Sequence, residues 1–281
     1  MSLFSFFKKG FKKSKRDIKL ICFDIDNTLC DFAAVETETE AYMAELILRD
    51  IKKLQSKIKK HGKHGNVKNS CSVFTILKIF NQVKKEYLYR DLKPGTYSRM
   101  TWFKTTIERL NGNAASDNTA LSISFDIMIL RSSSYEKRYW EQINKKLRNY
   151  PATISTLDFL KSKGFKLATI SDSDGLVGMK YHRIKLLGLD KYFDYIVTGD
   201  DIGLNKPAIE NWNKLLELSG LKGKQCVMIG DHPDIDLVTA KRLGFITIWT
   251  KQSLNNDLRH DYVDFEIHDI KEIIDVVEKL I

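Results

Sequence analysis

The amino-acid sequence predicts an α/β protein with a doubly wound parallel sheet and an inserted helical domain. Three observations support this prediction. Short apolar runs recur at residues 19–23 and again between residues 166 and 249, and each run ends in a polar residue. Segments with helical periodicity separate the later runs, whereas residues 31–148 show helical patterns and little strand signal. Regular alternation of strands and helices is typical of a parallel sheet with helices on both faces.

The apolar runs are continuous rather than alternating, which is typical of parallel strands buried on both faces. The intervening helical patterns stop at or close to a glycine, the common residue after the C-terminus of a helix. The predicted strands are 19–23, 166–170, 195–198, 226–229 and 245–249, and the predicted helices between them are 152–163, 207–218 and 234–243.

The insertion after the first strand is predicted to be entirely helical. Its segments are joined by polar or glycine-containing stretches, which usually form loops. The predicted helices are 33–60, 71–90, 96–111, 119–131 and 134–147. The chain should therefore comprise a basic N-terminal tail at residues 1–16, a core formed by residues 17–32 and 148–281, and a helical cap domain at residues 33–147.

Basic residues are in excess and unevenly distributed. Lys and Arg number 46 against 36 Asp and Glu, and much of the surplus lies in residues 1–19 and 51–68. Such a surplus suits an anionic partner or a solvated helix face. We favour the solvated face for 51–68 and expect no nucleic-acid partner. Residues 1–16 place phenylalanines near one helical face among lysines, so contact with an anionic membrane is an alternative to a simple basic tail.

Cysteine spacing and hydropathy favour a cytoplasmic protein. The four cysteines form no C-x-x-C pair, so neither a zinc knuckle nor a thioredoxin-type motif is predicted. No stretch approaches the roughly 18 apolar residues that span a bilayer, and the N-terminus lacks a secretory apolar region. We therefore expect free thiols in a reducing compartment.

Polar residues follow the predicted strands at the points where the strands end. In an open parallel sheet, ligands bind in the crevice at the carboxyl ends of the strands. Taken singly, each of these residues could be a turn, a helix cap or a surface residue, but such readings would have to hold at four strand ends together. The residues are Asp24, Asp26 and Thr28 after the first strand, Ser171 and Asp172 after the second, Lys206 after the third, and Asp231 and Asp236 after the fourth.

These four motifs, in this order, resemble those of the haloacid dehalogenase (HAD) superfamily. The likeness covers residues 19–30 and about 150–281, and it is greatest to a phosphatase-like branch with a helical cap inserted after the first motif. It implies a Rossmann-like core. The chemistry is consistent with it, because a carboxylate nucleophile divides a slow phosphate-ester hydrolysis into two steps.

The resemblance implies a role for each residue. Asp24 would be the nucleophile, Asp26 would protonate the leaving oxygen and then deprotonate water, and Lys206 would neutralise charge in the transition state. The phosphate group would be held by Thr28, Ser171, Asp172 and Lys206. The metal would be Mg²⁺, and its ligands would come from Asp24, the Asp26 carbonyl, Asp231 and Asp236.

The sequence therefore favours a Mg²⁺-dependent phosphatase that hydrolyses a small phosphorylated metabolite through an aspartyl phosphate. A phosphomutase or another phosphotransferase of the HAD type is one alternative, because it would use the same motifs. A membrane-surface binding protein on a HAD scaffold is another. Dehalogenation is disfavoured, since dehalogenases of this superfamily lack a residue like Asp26 and need no metal site like Asp231. The oligomeric state cannot be read from the sequence.

Overall fold

A computed structural model describes residues 17–60, 71–88, 90–114, 119–252 and 260–281. Its centre is a sheet of six parallel strands in the order β3-β2-β1-β4-β5-β6. This topology confirms the predicted doubly wound, Rossmann-like α/β fold. The strands are β1 (Leu20–Phe23), β2 (Lys166–Ser171), β3 (Tyr195–Thr198), β4 (Cys226–Gly230), β5 (Ile246–Thr250) and β6 (Phe265–Ile267).

Eleven α-helices are present in the described ranges, five of them in the insertion. Those five are α1 (Phe32–Lys60), α2 (Val73–Leu88), α3 (Arg99–Ala114), α4 (Thr119–Leu130) and α5 (Ser132–Lys146). The remainder are α6 (Thr153–Ser162), α7 (Met179–Leu186), α8 (Gly199–Ile202), α9 (Ile209–Ser219), α10 (Val238–Arg242) and α11 (Ile273–Leu280). In these described segments no helix is both long enough and apolar enough to cross a membrane.

Both faces of the sheet are covered, as continuous apolar strands require. On one face, Trp212 and Leu215 of α9 pack with Cys22 and Met228. On the other, apolar residues of α6 and α11 join a cluster that continues into the insertion. The central strand β1 is consequently buried at all four positions. Burial on both sides fixes the register, and so fixes where each strand ends.

The insertion leaves and rejoins the core at adjacent points. Cys30 forms an antiparallel bridge with Asn149, and the Tyr150 N–H donates to the Leu29 carbonyl at 3.0 Å. This pairing supports the predicted boundaries of the cap, which remain a prediction about how the chain divides. The predicted tail, residues 1–16, lies outside the described residues.

Element positions agree with the sequence prediction apart from a few specific differences. Helix α3 begins at Arg99 rather than at residue 96, because Pro94–Tyr97 forms a short 3₁₀ turn. The edge strand β6 and helices α7, α8 and α11 were not predicted. β6 has only three residues and α8 only four. In α7, two of the three buried positions are the charged residues Lys180 and Arg183, so the helix has no apolar stripe.

Candidate active site

The carboxyl ends of the strands open into one cleft of about 720 Å³, part of it open to solvent. The cap forms the opposite side. Seven of the eight residues predicted from the strand ends line this cleft: Asp24, Asp26, Ser171, Asp172, Lys206, Asp231 and Asp236. The topology therefore brings them together, while their chemical roles remain predictions.

Lys206 lies between two carboxylates at the base of the cleft. Its Nζ is 2.6 Å from Asp24 Oδ1 and 2.6 Å from Asp236 Oδ1, and all three side chains are buried. Burial raises the pKa of Asp24 to about 7 against the opposing effect of Lys206, and repulsion from Asp236 and Asp26 adds to the rise. An acid with this pKa is easily deprotonated at neutral pH once another cation approaches it.

Asp24, Asp231 and Asp236 could together hold a metal ion. One carboxylate oxygen from each lies within 4.8 Å of the others. Burial raises the pKa of Asp231, and the neighbouring Asp236 and Asp24 raise it further. Three crowded oxygen donors that repel one another fit a hard divalent cation such as Mg²⁺. We call Asp24, Asp231, Asp236 and Lys206 the core cluster.

Local backbone geometry positions the two later aspartates. After Gly230 the chain forms a π-helical turn at Pro233–Leu237 that folds back on the end of β4. A Cβ atom on Gly230 would collide with the Asp236 side chain, so only glycine allows this close approach. The His232 N–H donates to Asp236 Oδ2 at 2.9 Å and fixes the carboxylate.

The end of β2 connects the core to the cap. Ser171 is buried at the cleft, and the Asp172 carboxylate accepts the Lys206 backbone N–H at 2.7 Å. The Tyr97 hydroxyl of the cap donates to the same carboxylate at 3.4 Å. Because that carboxylate already accepts two hydrogen bonds and has no N–H to donate, the backbone N–H groups of this loop are better suited than the Asp172 side chain to hold a phosphate.

Asp26 has partners that were not predicted. Arg183 Nη2 contacts both of its carboxylate oxygens at 2.7 Å, and Lys180 Nζ also pairs with it. Asp174 binds the same two cations at 2.9 and 3.0 Å. Although burial opposes the effect, Arg183 and Lys180 lower the pKa of Asp26 to about 2. The only sequence signal was a pair of basic residues three positions apart in α7, close to Asp172 and Asp174.

Thr28 is the predicted site residue that does not line the cleft. It is fully buried beneath the Asp26 turn, and its Oγ1 has no hydrogen-bond partner among the described residues. The turn itself depends on Asn27, which adopts a φ of 59° and accepts the Ala33 N–H at 2.7 Å. The spacing of the motif placed Thr28 near the site but could not give the direction of its side chain.

The cap contributes a second group of buried charges. Lys84 Nζ lies 2.6 Å from Glu36 and 2.8 Å from Glu40. Glu36 also accepts Arg99 Nη2 at 3.0 Å and the Tyr139 hydroxyl at 2.7 Å. Despite its burial, Arg99 and Lys84 lower the pKa of Glu36. We call Glu36, Glu40, Lys84 and Arg99 the cap cluster.

Comparisons with known proteins agree with this geometry. The sequence model of the haloacid dehalogenase-like hydrolases matches residues 18–244. A glyceraldehyde 3-phosphate phosphatase from Methanocaldococcus jannaschii is 38% identical over 135 residues, which cover 48% of this chain and 58% of that protein. A phosphoglycolate phosphatase from Aquifex aeolicus is 35% identical over 127 residues, covering 44% of this chain and 58% of that protein. The chain thus spans less than two thirds of the length of these curated relatives.

The fold is shared with solved structures. A HAD phosphatase from Thermococcus onnurineus superposes with a TM-score of 0.62 at 23% sequence identity, covering 92% of this chain and 98% of that one. At this identity the likeness concerns the fold alone.

Proposed function

Because the chain belongs to the haloacid dehalogenase-like hydrolases, we propose that it is a Mg²⁺-dependent phosphatase acting on a small phosphorylated metabolite through a phosphoryl-Asp24 intermediate. The observation that supports this most strongly is the core cluster. In this cluster the Asp24 carboxylate, a buried lysine and two further acids lie together in the cleft.

Asp24 and Lys206 carry out the first step. An Asp24 carboxylate oxygen forms a bond to phosphorus, and the bond between phosphorus and the leaving oxygen breaks. Lys206 is within hydrogen-bonding distance of the nucleophile and offsets the negative charge that builds up on the phosphoryl oxygens. When bound to Asp24, the Asp26 carbonyl, Asp231 and Asp236, Mg²⁺ would supply further positive charge at those oxygens.

Asp26 acts on the proton. Held by Arg183 and Lys180, its carboxylate is ionised and is suited to accept a proton from the water that attacks phosphorus in the second step. That attack breaks the bond from phosphorus to Asp24 and releases inorganic phosphate. To protonate the leaving oxygen in the first step, Asp26 must first leave these ion pairs and gain a proton.

The test is a direct assay of the full chain with p-nitrophenyl phosphate. We expect hydrolysis with Mg²⁺, none with excess chelator, and a single phosphoryl group on the peptide that contains Asp24 when the reaction is quenched for mass spectrometry. Asp24→Asn should abolish both turnover and label. Full activity in chelator, or label on Ser171 or a histidine, would contradict the proposal. Measurement by ³¹P NMR distinguishes two enzyme classes, because a phosphatase releases inorganic phosphate whereas a phosphomutase transfers the phosphoryl group to another position.

A further inference from the structure

The charges that line the cleft are unequal in number. Among the described residues, seven carboxylates and four cations line it. Arg183, which lies behind the lining, pairs with two of these carboxylates, and the two positive charges of Mg²⁺ would make up the remaining difference. A bound phosphate dianion would then add two negative charges with no free cation beside them. A second anionic group on the substrate would therefore need a cation that is free to receive it.

The two lysines on the sheet side of the cleft, Lys206 and Lys180, are already paired with carboxylates. Lys206 bridges Asp24 and Asp236 at 2.6 Å each, and it is also the cation closest to the position expected for the phosphate. Lys180 pairs with Asp26 and, at 3.0 Å, with Asp174. Neither lysine can turn to a second anion without leaving a buried carboxylate unpaired, which is costly.

The two cap cations are engaged as well. Arg99 is almost fully buried, bonded to Glu36 and, at 2.8 Å, to the Tyr97 carbonyl. Lys84 is held between Glu36 and Glu40, but 21% of its side chain remains exposed. The accessible part of the cap cluster therefore offers one N–H donor beside carboxylate acceptors, with its charges balanced.

We infer that the cap selects phosphate monoesters whose other end bears hydroxyl groups, and rejects those whose other end bears a carboxylate. This inference rests on the proposed phosphatase function. A hydroxyl group can donate to Glu36 and accept from Lys84 while every ion pair stays intact. A carboxylate that accepted the same Lys84 N–H would lie beside Glu36 and Glu40, whose charges already balance that lysine, so like charges would be brought close together.

A matched pair of substrates tests this selectivity in the wild-type chain. Glycerol 3-phosphate and 3-phosphoglycerate have the same three-carbon skeleton and differ only in a terminal hydroxymethyl or carboxylate group. With Mg²⁺ present, kcat/KM for glycerol 3-phosphate should be at least about tenfold higher. Equal values, or a preference for 3-phosphoglycerate, would overturn the inference.

Two substitutions on α1 test whether the cap cluster is responsible. Glu40→Gln keeps the side-chain shape but frees one positive charge on Lys84, so the preference should narrow several-fold. Glu38→Gln is the matched control, because Glu38 pairs with Lys146 at 2.9 Å on the exposed side of the helix and should leave the preference unchanged. An unchanged or widened preference in Glu40→Gln would exclude the cap cluster as its source.

Binding separates failure of this inference from failure of the proposed function. Asp24→Asn lacks the nucleophile, so its affinity for the two compounds can be measured by calorimetry with Mg²⁺ and without turnover. We expect glycerol 3-phosphate to bind more tightly than 3-phosphoglycerate. Equal affinities for the two compounds would overturn the inferred selectivity. If the wild-type chain failed to hydrolyse p-nitrophenyl phosphate but still bound glycerol 3-phosphate more tightly, only the phosphatase proposal would be overturned.

Discussion

The core cluster and the cap cluster are both buried groups of charged side chains facing one cleft, yet they differ in balance. In the core cluster three carboxylates share one lysine, and the pKa values of Asp24 and Asp231 are raised. In the cap cluster two carboxylates face two cations, which lower the pKa of Glu36, whereas burial raises the pKa of Glu40. Unbalanced charge marks a place that requires a ligand, whereas balanced charge can be complete without one.

Removing a lysine from each cluster should have very different consequences. Lys206→Met should reduce kcat with p-nitrophenyl phosphate by about 10³-fold, because no other cation lies between Asp24 and Asp236 among the described residues. Lys84→Met should cause a far smaller loss, since the cap cluster does not contact the nucleophile. Steady-state kinetics at saturating Mg²⁺ measure both. Comparable losses of kcat in the two variants would show that the core cluster is no more important for catalysis than the cap cluster.

The cap cluster should matter more for the stability of the fold than for activity. Arg99→Met should lower the free energy of unfolding by at least about 3 kcal/mol, because it removes one cation from a buried pair with Glu36. It also removes the contact of the guanidinium with the Trp102 ring at 4.2 Å. Urea denaturation at constant pH measures the loss. A change below about 1 kcal/mol would mean that the cap cluster contributes little to the fold.

The raised pKa of Asp24 gives the metal-free protein a defined pH dependence. Between about pH 4 and its folded pKa of about 7, the folded chain binds a proton at Asp24 that the unfolded chain has lost. Stability should therefore fall as pH rises through this window, by up to about 4 kcal/mol. Asp24→Asn should make that slope shallower, and Asp231, whose pKa is also raised, should account for what remains. Thermal unfolding in chelator measures it, and a wild-type slope of the opposite sign would contradict the assignment.

An exposed ion pair in the cap should have the smallest effect on the free energy of unfolding. Arg109 contacts Glu86 at 2.6 and 2.9 Å, but both side chains are substantially exposed. Glu86→Gln should change the free energy of unfolding by no more than about 0.5 kcal/mol, and should leave activity unchanged. A larger effect in urea denaturation would show that burial does not explain the difference from Arg99.

The sequence predicts the core of the site well, because parallel strands end at one edge of a sheet. Asp24, Lys206 and Asp231 are separated by as many as 207 positions, yet strand topology alone brings them together. The same reasoning cannot give side-chain directions. The resemblance implies that Thr28 helps to hold the phosphate, but its side chain is fully buried and does not line the cleft.

The cap and α7 were less predictable for a different reason. The pairing of Glu36 with Lys84 joins α1 to α2 through residues 48 positions apart, and no pattern in one sequence specifies which faces of two helices meet. Helix α7 buries Lys180 and Arg183 rather than an apolar stripe, so hydrophobic periodicity gives no signal for it. Its buried charges are compensated by Asp26 and Asp174, which only the tertiary structure brings near.

The bridge between Cys30 and Asn149 has a consequence for how such a chain can diversify. An insertion whose two ends are adjacent forms a closed loop on the core, and the entropic cost of closing a loop grows only logarithmically with its length. Doubling the insertion would cost only about 0.6 kcal/mol. The insertion can therefore be lengthened, shortened or exchanged while Asp24 stays at the end of its strand. New chain termini could likewise be opened within the insertion while the sheet remains continuous.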